Sequence, residues 1–228
     1  MDLLPSTEHK FNLKFIFSLV KEIPKNLKDT ETTARILLTL FPRGGVIEKI
    51  LFSNKDKRER EQVANFIVDL ANQFTTLKEE SINLEFFKSD EYYCIFKKIL
   101  EKISFEYKQE KIKMFRNFLL NCSRKDKPKI NFSYYLNKID HLEIEHFEII
   151  KWYYQHEFTT GGIGSAYDNT KKEELPKISK YYVNLENDLN NIGFLSLVQV
   201  DAYQNHRYML SHTGKEFFEF IYYDEPLE

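Results

Sequence analysis

Between Val63 and Cys122 the apolar side chains return every three or four residues. Val63, Phe66, Ile67, Leu70, Phe74 and Leu77 form one stripe, and Ile95, Ile99, Ile103 and Tyr107 a second. Ile112, Phe115, Leu119 and Cys122 form a third, with Lys108, Lys111 and Lys113 largely on another side. Residues three and four apart share a face of an α-helix, so each run predicts an amphipathic helix with one side committed to a core. Seven glycines and six prolines in 228 residues leave little room for long irregular segments. The fold class expected is mainly α.

The ends of these helices are marked. Asp29 or Thr30 caps a short helix running to Phe41, which Pro42 stops, and Arg43-Gly44-Gly45 reads as a turn. Ser53 or Asn54 opens the helix containing Val63, whose first turns, residues 55–61, are a solvated run of mixed charge. Ser89 and Asp90 cap the next. Further upstream, Phe11, Leu13, Phe15, Phe17 and Leu19 alternate at period two but also satisfy a broad helical face; with no partner strand near, helix is expected. Residues 124–129, basic and containing Pro128, are the candidate linker, which predicts a helical domain over 1–130 and a second domain over 131–228.

The second part reads as a short helix from Phe132 to Leu136, a helix, a long loop, a helix, a hairpin and a helix. Ile144, Phe147, Ile150 and Tyr154 define the helix before the loop. Tyr182, Leu185, Leu189 and Ile192 define the one after it, which Gly193 ends. Leu195–Val200 and residues 207–210 alternate like paired strands around Tyr203-Gln204-Asn205, and residues 214–222 form the last helix.

Two resemblances follow from particular strings. Leu185-Glu186-Asn187-Asp188-Leu189-Asn190-Asn191-Ile192-Gly193-Phe194, then a hairpin, then Tyr208-Met209-Leu210-Ser211-His212-Thr213-Gly214-Lys215-Glu216-Phe217, resembles the tail of winged-helix domains. In those, a helix closes on Gly and an aromatic or Leu, a wing follows, and Leu-Ser/Thr-x-x-Gly starts the final helix. The resemblance implies an N-terminal helical bundle followed by a winged-helix domain, and says nothing of activity. Upstream, Glu106-Tyr107-Lys108-Gln109-Glu110-Lys111-Ile112 and Phe115-Arg116-Asn117-Phe118-Leu119-Leu120-Asn121 resemble the helical half of bacterial abortive-infection alpha-type proteins. The likeness runs over residues 60–222 and implies a setting in phage defence. A membrane hairpin like that of membrane-linked members is not evident in this chain.

Charge is divided unevenly. Residues 141–228 carry seven basic and fifteen acidic side chains, a net of −8, while residues 1–140 carry 26 and 20, a net of +6. A duplex is held by Lys and Arg that displace phosphate counterions, so an acidic winged helix is a poor clamp for DNA. The expectation is a non-catalytic interaction protein that dimerises or binds a protein partner through the helix of residues 177–192 and the hairpin. Tyr181, Asn184 and Tyr203 are its candidate contacts. The alternative is a DNA-binding regulator in which Lys177, Lys180, Asn184, Asn187 and Arg207 face the duplex. Of the neighbouring tyrosine pairs 134/135, 153/154, 181/182 and 222/223, one ring each must point outward.

Motifs for catalysis are weak. The Gly-rich loop of residues 160–165 lacks a third glycine, a following Lys-Ser/Thr and a preceding strand, so a flexible loop is the better reading. His141 and Glu145, one helical turn apart, have no third ligand at matching spacing. Asp90, Glu106 and Lys108 mimic a nuclease triplet, but on helices rather than on adjacent strands, which points to coincidence. No cofactor, metal or catalytic residue is expected. Cys94 and Cys122 sit in apolar helical patterns as buried thiols. With no secretory leader pattern, and with the apolar window of residues 34–41 far short of the roughly 20 residues that span a bilayer, the expected compartment is the cytoplasm, with no membrane partner.

Overall fold

The computed structural model describes residues 30–41, 44–53, 55–127, 130–159, 177, 180–200 and 206–222. The helix expected around residues 11–19, the Gly-rich loop of residues 160–165 and the hairpin turn bearing Tyr203 lie outside them. The chain is mainly helical with a single small sheet among the described residues, and it divides into two compact units, Met1–Lys129 and Ile130–Glu228. No described helix is long and apolar enough to cross a membrane.

The first unit contains α1 (Thr30–Leu40), α2 (Gly44–Ser53), α3 (Lys57–Phe74), a 3-10 turn (Glu79–Ser81), α4 (Leu84–Phe87), α5 (Asp90–Ile103) and α6 (Gln109–Cys122). Gly44 and Gly45 do not form the expected turn; they open α2. A helix's first turn tolerates glycine better than its interior, and Phe52 of the run that follows is buried. The start of α3 also differs. Asp56, not Ser53 or Asn54, is the N-cap, its carboxylate accepting the Glu59 N–H at 2.9 Å. Ser89 caps α5 as expected, accepting the Tyr92 N–H at 3.1 Å.

The helix α3 packs on α1, α5 and α6. Val63, Phe66, Ile67, Leu70 and Phe74 are buried in it, and the aromatic end of the core joins Phe41, Phe74, Phe87, Tyr92 and Phe96. Phe41 and Phe96 stack at 5.0 Å between ring centres, and Phe87 tilts against Tyr92 at 4.7 Å. The stripe of α6 is rotated from the one expected: Met114, Phe115, Phe118, Leu119 and Cys122 are buried, Ile112 only half so, and Lys111 is buried. Tyr107 stands outside the core before α6 begins. Glu31 accepts from Arg35 at 2.7 Å and from Arg60 at 3.2 Å, while Arg35 also pairs with Glu48, linking α1, α2 and α3. The Arg35 hydrogen bond, helped by Arg60, holds the Glu31 carboxyl below the usual glutamate range against the opposing effect of burial.

The expected linker begins as part of this unit. Asn83 N–H donates to the Ser123 carbonyl at 2.6 Å and Lys125 N–H to the Ser81 carbonyl at 2.7 Å, and Ile82 bridges Arg124. Residues 124 and 125 are therefore hydrogen-bonded back onto the 3-10 turn.

The second unit contains α7 (Phe132–His141), α8 (Ile144–Thr159), α9 (Tyr182–Asn191), strands β1 (Leu195–Val200) and β2 (His206–Leu210), and α10 (His212–Tyr222). The strands are antiparallel, pairing Leu195 with Leu210 and Leu197 with Tyr208, with an irregularity between Leu197 and Gln199. The helix α8 packs on α9, α10 and β2. Tyr135, Phe147, Leu189, Phe194, Tyr208 and Phe217 are core residues, with the Phe194 and Phe217 rings 4.5 Å apart.

Two glycines set the path of this unit. Gly193 has φ 81°, and its N–H donates to the Asn190 carbonyl at 3.0 Å while Phe194 N–H donates to the Leu189 carbonyl at 2.8 Å. This double bond pattern with a left-handed residue ends α9 and turns Phe194 into the core. Gly214 is needed for space. A Cβ there would lie against the Phe194 carbonyl oxygen, well inside van der Waals contact, and 2.8 Å from Leu210 Cδ1. Ser211, the residue before α10, accepts the Gly214 N–H on its hydroxyl at 2.9 Å and donates its own N–H to the Phe194 carbonyl at 3.0 Å.

Candidate interaction surface

The helix α9 has two contrasting sides. Its inner side carries Leu189 and Glu186, the latter only 1% exposed. The Glu186 carboxylate accepts a hydrogen bond from the Tyr153 hydroxyl of α8. Beside it the Tyr208 hydroxyl of β2 donates to Asn187 Oδ1, and burial, followed by the negative charge of Glu186, pushes the Tyr208 phenol above its usual value. His146 of α8, also buried, accepts the Glu143 N–H on Nδ1 at 3.1 Å and places Nε2 3.7 Å from the Asp188 carboxylate. These polar contacts fix the rotation of α9 against α8 and β2, because a buried carboxylate or hydroxyl is costly without a partner.

The outer side is different in kind. Tyr181 is 59% exposed and Val183 50%, with Lys180, Asn184, Asp188 and Asn191 also exposed. The Lys180 ammonium lies 4.9 Å from the centre of the Tyr181 ring. Of the candidate partner contacts, Tyr181 and Asn184 are thus brought together on one solvent-facing side, three residues apart, and Tyr203 lies outside the described residues. Of the candidate DNA contacts, Lys177, Lys180 and Asn184 are exposed, whereas Asn187 is half-buried and accepts from Tyr208. Arg207 sits opposite Gln199 in β2, with its side chain outside the description. The described cations stand before the helix, and Asp188 stands toward its end.

Sequence reasoning missed Val183 and Glu186. The stripe Tyr182-Leu185-Leu189-Ile192 predicts a core face centred on Leu185, yet Leu185 and Tyr182 are only half-buried while Glu186 is enclosed. The helix is turned so that Glu186 meets Tyr153, which leaves Val183 outside. A lone glutamate among asparagines gives no sign of that. Of the tyrosine pairs, 134/135 and 181/182 each have an exposed ring, Tyr134 and Tyr181, whereas in 153/154 Tyr153 is buried and Tyr154 is half-buried against Phe218.

The weak chemical motifs are not assembled. His141 ends α7 and Glu145 belongs to α8, so they share no helix face. Asp90 opens α5, while Glu106 lies in the connection to α6 and turns inward. Among the described residues no group of three or more His, Cys, Asp or Glu side chains is placed to hold a metal ion. Cys94 is exposed, contrary to expectation, since the apolar positions of α5 that face the core are Ile95, Phe96 and Ile99. Cys122 is buried, and burial, with a further contribution from Glu91, raises its thiol well above the usual value. No family model, curated protein or solved structure matches the chain.

Proposed function

We propose that the chain is a non-catalytic binding protein of the cytoplasm whose second unit is a winged-helix module used for dimerisation or for a protein partner. The observation that carries this reading is the outer side of α9, where Tyr181 and Val183 are half exposed or more on a helix held in place by buried polar contacts. Exposed aromatic and branched apolar side chains on a fixed helix are the material of protein contact sites. The element order from α7 to α10, the stop at Gly193 and the close approach at Gly214 support the winged-helix assignment. The resemblance to abortive-infection proteins adds phage defence as the setting.

Sedimentation of the full chain from micromolar to hundred-micromolar concentration tests the reading, together with a Tyr181→Ser, Val183→Ser double variant. Self-association, or capture of a partner, that the double variant loses is the expected result. A strict monomer with no partner recovered overturns it.

A second reading, a DNA-binding regulator, draws on the exposure of Lys177 and Lys180, which precede α9, and of Asn184 in its first turn. Asp188 on the outer side and the engagement of Asn187 by Tyr208 oppose it. A gel shift at low salt that Lys180→Ala abolishes would replace the first reading with this one.

A further inference from the structure

The exposed residues of α9 form a stripe that is its own complement. Tyr181 at the N-cap, Asn184, Asp188 and Asn191 are exposed and fall three or four residues apart, so they line one side of the helix, away from the buried Glu186 and Leu189. Lys180 is exposed too, and its ammonium lies 4.9 Å from the centre of the Tyr181 ring, which places a cation at the first residue of the stripe. Asp188 is the acid of the stripe. Its side chain is 62% exposed, and His146 Nε2 approaches it at 3.7 Å from α8. Glu186, between these two charges in sequence, is enclosed against Tyr153. Aliphatic groups border one flank. Val183 stands one turn before Asn187, which accepts from Tyr208, and Leu197 is the cross-strand partner of Tyr208. Directly paired residues of an antiparallel hairpin share a face, so Leu197, 46% exposed, lies on the side of the hairpin that reaches α9.

The order of these groups selects the occupant. The Lys180 ammonium sits at Tyr181, one turn before Asn184, and Asp188 lies one turn after it. A positive end, an uncharged amide and a negative end meet their opposites when the helix is turned end for end. A second copy of α9 laid antiparallel, related by a two-fold axis through Asn184, therefore brings the Lys180 of each copy to the Asp188 of the other. The two Asn184 amides meet on the axis, and because an amide both donates and accepts, they can hydrogen-bond to each other. A parallel pairing would instead set Lys180 on Lys180 and Asp188 on Asp188. An unrelated partner would need acid, amide and base in this reversed order from its own sequence, whereas a second copy has it by symmetry.

We propose that the occupant of the α9 surface is a second copy of this chain, the two helices pairing antiparallel about Asn184 with each Lys180 on the other's Asp188. This rests on the reading of that surface as a protein contact site and names its partner. Sedimentation of the full chain and of charge-reversed variants tests it. Lys180→Glu alone and Asp188→Lys alone each set like charges at both ends of the pair, and each is expected to weaken self-association about tenfold, the scale of two exposed ion pairs turned repulsive. The double variant Lys180→Glu, Asp188→Lys keeps the net charge of the wild type and reverses the pattern. It is expected to recover self-association and, in mixtures, not to pair with wild-type chains. Asp188→Lys also takes a carboxylate from beside His146, so an unchanged unfolding midpoint, with Lys180→Glu as the variant outside that contact, separates lost pairing from lost fold. A wild-type dimer that neither reversal weakens overturns the proposal, as does a double variant no tighter than the single ones. In both cases a dimer that Tyr181→Ser, Val183→Ser dissolves leaves the contact-site reading standing. A wild-type monomer at hundred-micromolar concentration also overturns the proposal. Capture of a different protein, lost in the serine variant, would then keep the broader reading, and no capture would end both.

Discussion

Gly214→Ala tests the central packing argument of the second unit. An added Cβ would press on the Phe194 carbonyl and lie 2.8 Å from Leu210 Cδ1, so α10 must shift away from the residue that follows the Gly193 turn. Forcing a methyl group into a filled site costs about 1–3 kcal/mol. The shift also strains the Ser211 N–H bond to Phe194 and the Ser211 hydroxyl bond to the Gly193 carbonyl, each worth about 1 kcal/mol. Against this, alanine gains up to about 1 kcal/mol over glycine in a helix. The balance is a loss of about 2 kcal/mol, or roughly 10 °C in midpoint for a unit of this size. The single tryptophan, Trp152, is buried in α8, so its fluorescence during denaturation reports the second unit alone. Gly193→Ala is the control with a different cause: its Cβ meets nothing within 4 Å, but φ 81° costs an L-residue about 1–2 kcal/mol, and asparagine there should recover part of the loss. An unchanged or raised midpoint for Gly214→Ala would refute the close approach.

Two further outcomes follow from tyrosine hydroxyls. The Tyr92 hydroxyl is buried with no hydrogen-bond partner among the described residues, so Tyr92→Phe should stabilise the first unit by about 1 kcal/mol in denaturation followed by far-UV circular dichroism; a clear loss would show that the hydroxyl is satisfied. The Tyr154 hydroxyl donates to Glu219 at 3.1 Å, and burial first, then the Glu219 charge and this bond, push its phenol up to about 12. A pKa raised on folding stabilises fully below the unfolded value and less as pH rises through the folded one. Wild-type stability, read by Trp152, should therefore fall more steeply than that of Tyr154→Phe as pH climbs from about 10 to about 12, and parallel curves would remove the assigned cause.

Much of the architecture is written in periodicity and caps. The stripe from Val63 to Phe74, the Ser89 cap, the Gly193 stop and the strand at Leu195–Val200 are all local signals, and each appears where the sequence puts it. The misreadings have more than one cause, and two of them turn on side-chain contacts that periodicity does not show. Lys111 looks like a surface lysine until Glu106 folds back to meet it, and Glu186 looks like a solvent-facing residue until Tyr153 from α8 reaches it across 33 positions. The turn expected at Gly44-Gly45 failed because two glycines outweighed, in a local reading, the helix-forming run behind them. Phe105 fits no apolar stripe and Tyr107 completes one, because periodicity alone does not show where a helix ends when no glycine or proline marks it.

The same distinction bears on the charge argument. A net of −8 over residues 141–228 is a sum along the chain, whereas a partner meets only one face of the fold. Glu186 contributes to that sum but is enclosed by Tyr153, so the α9 surface is less acidic than its segment. The described outer side runs from Lys180 through Tyr181, Val183 and Asn184 to Asp188, with opposite charges at its ends and uncharged side chains between them. A polyanion would need cations along the length of the helix, while a protein partner needs the uncharged middle. The preference for a protein partner therefore rests on Tyr181 and Val183, and no longer on the acidity of the tail.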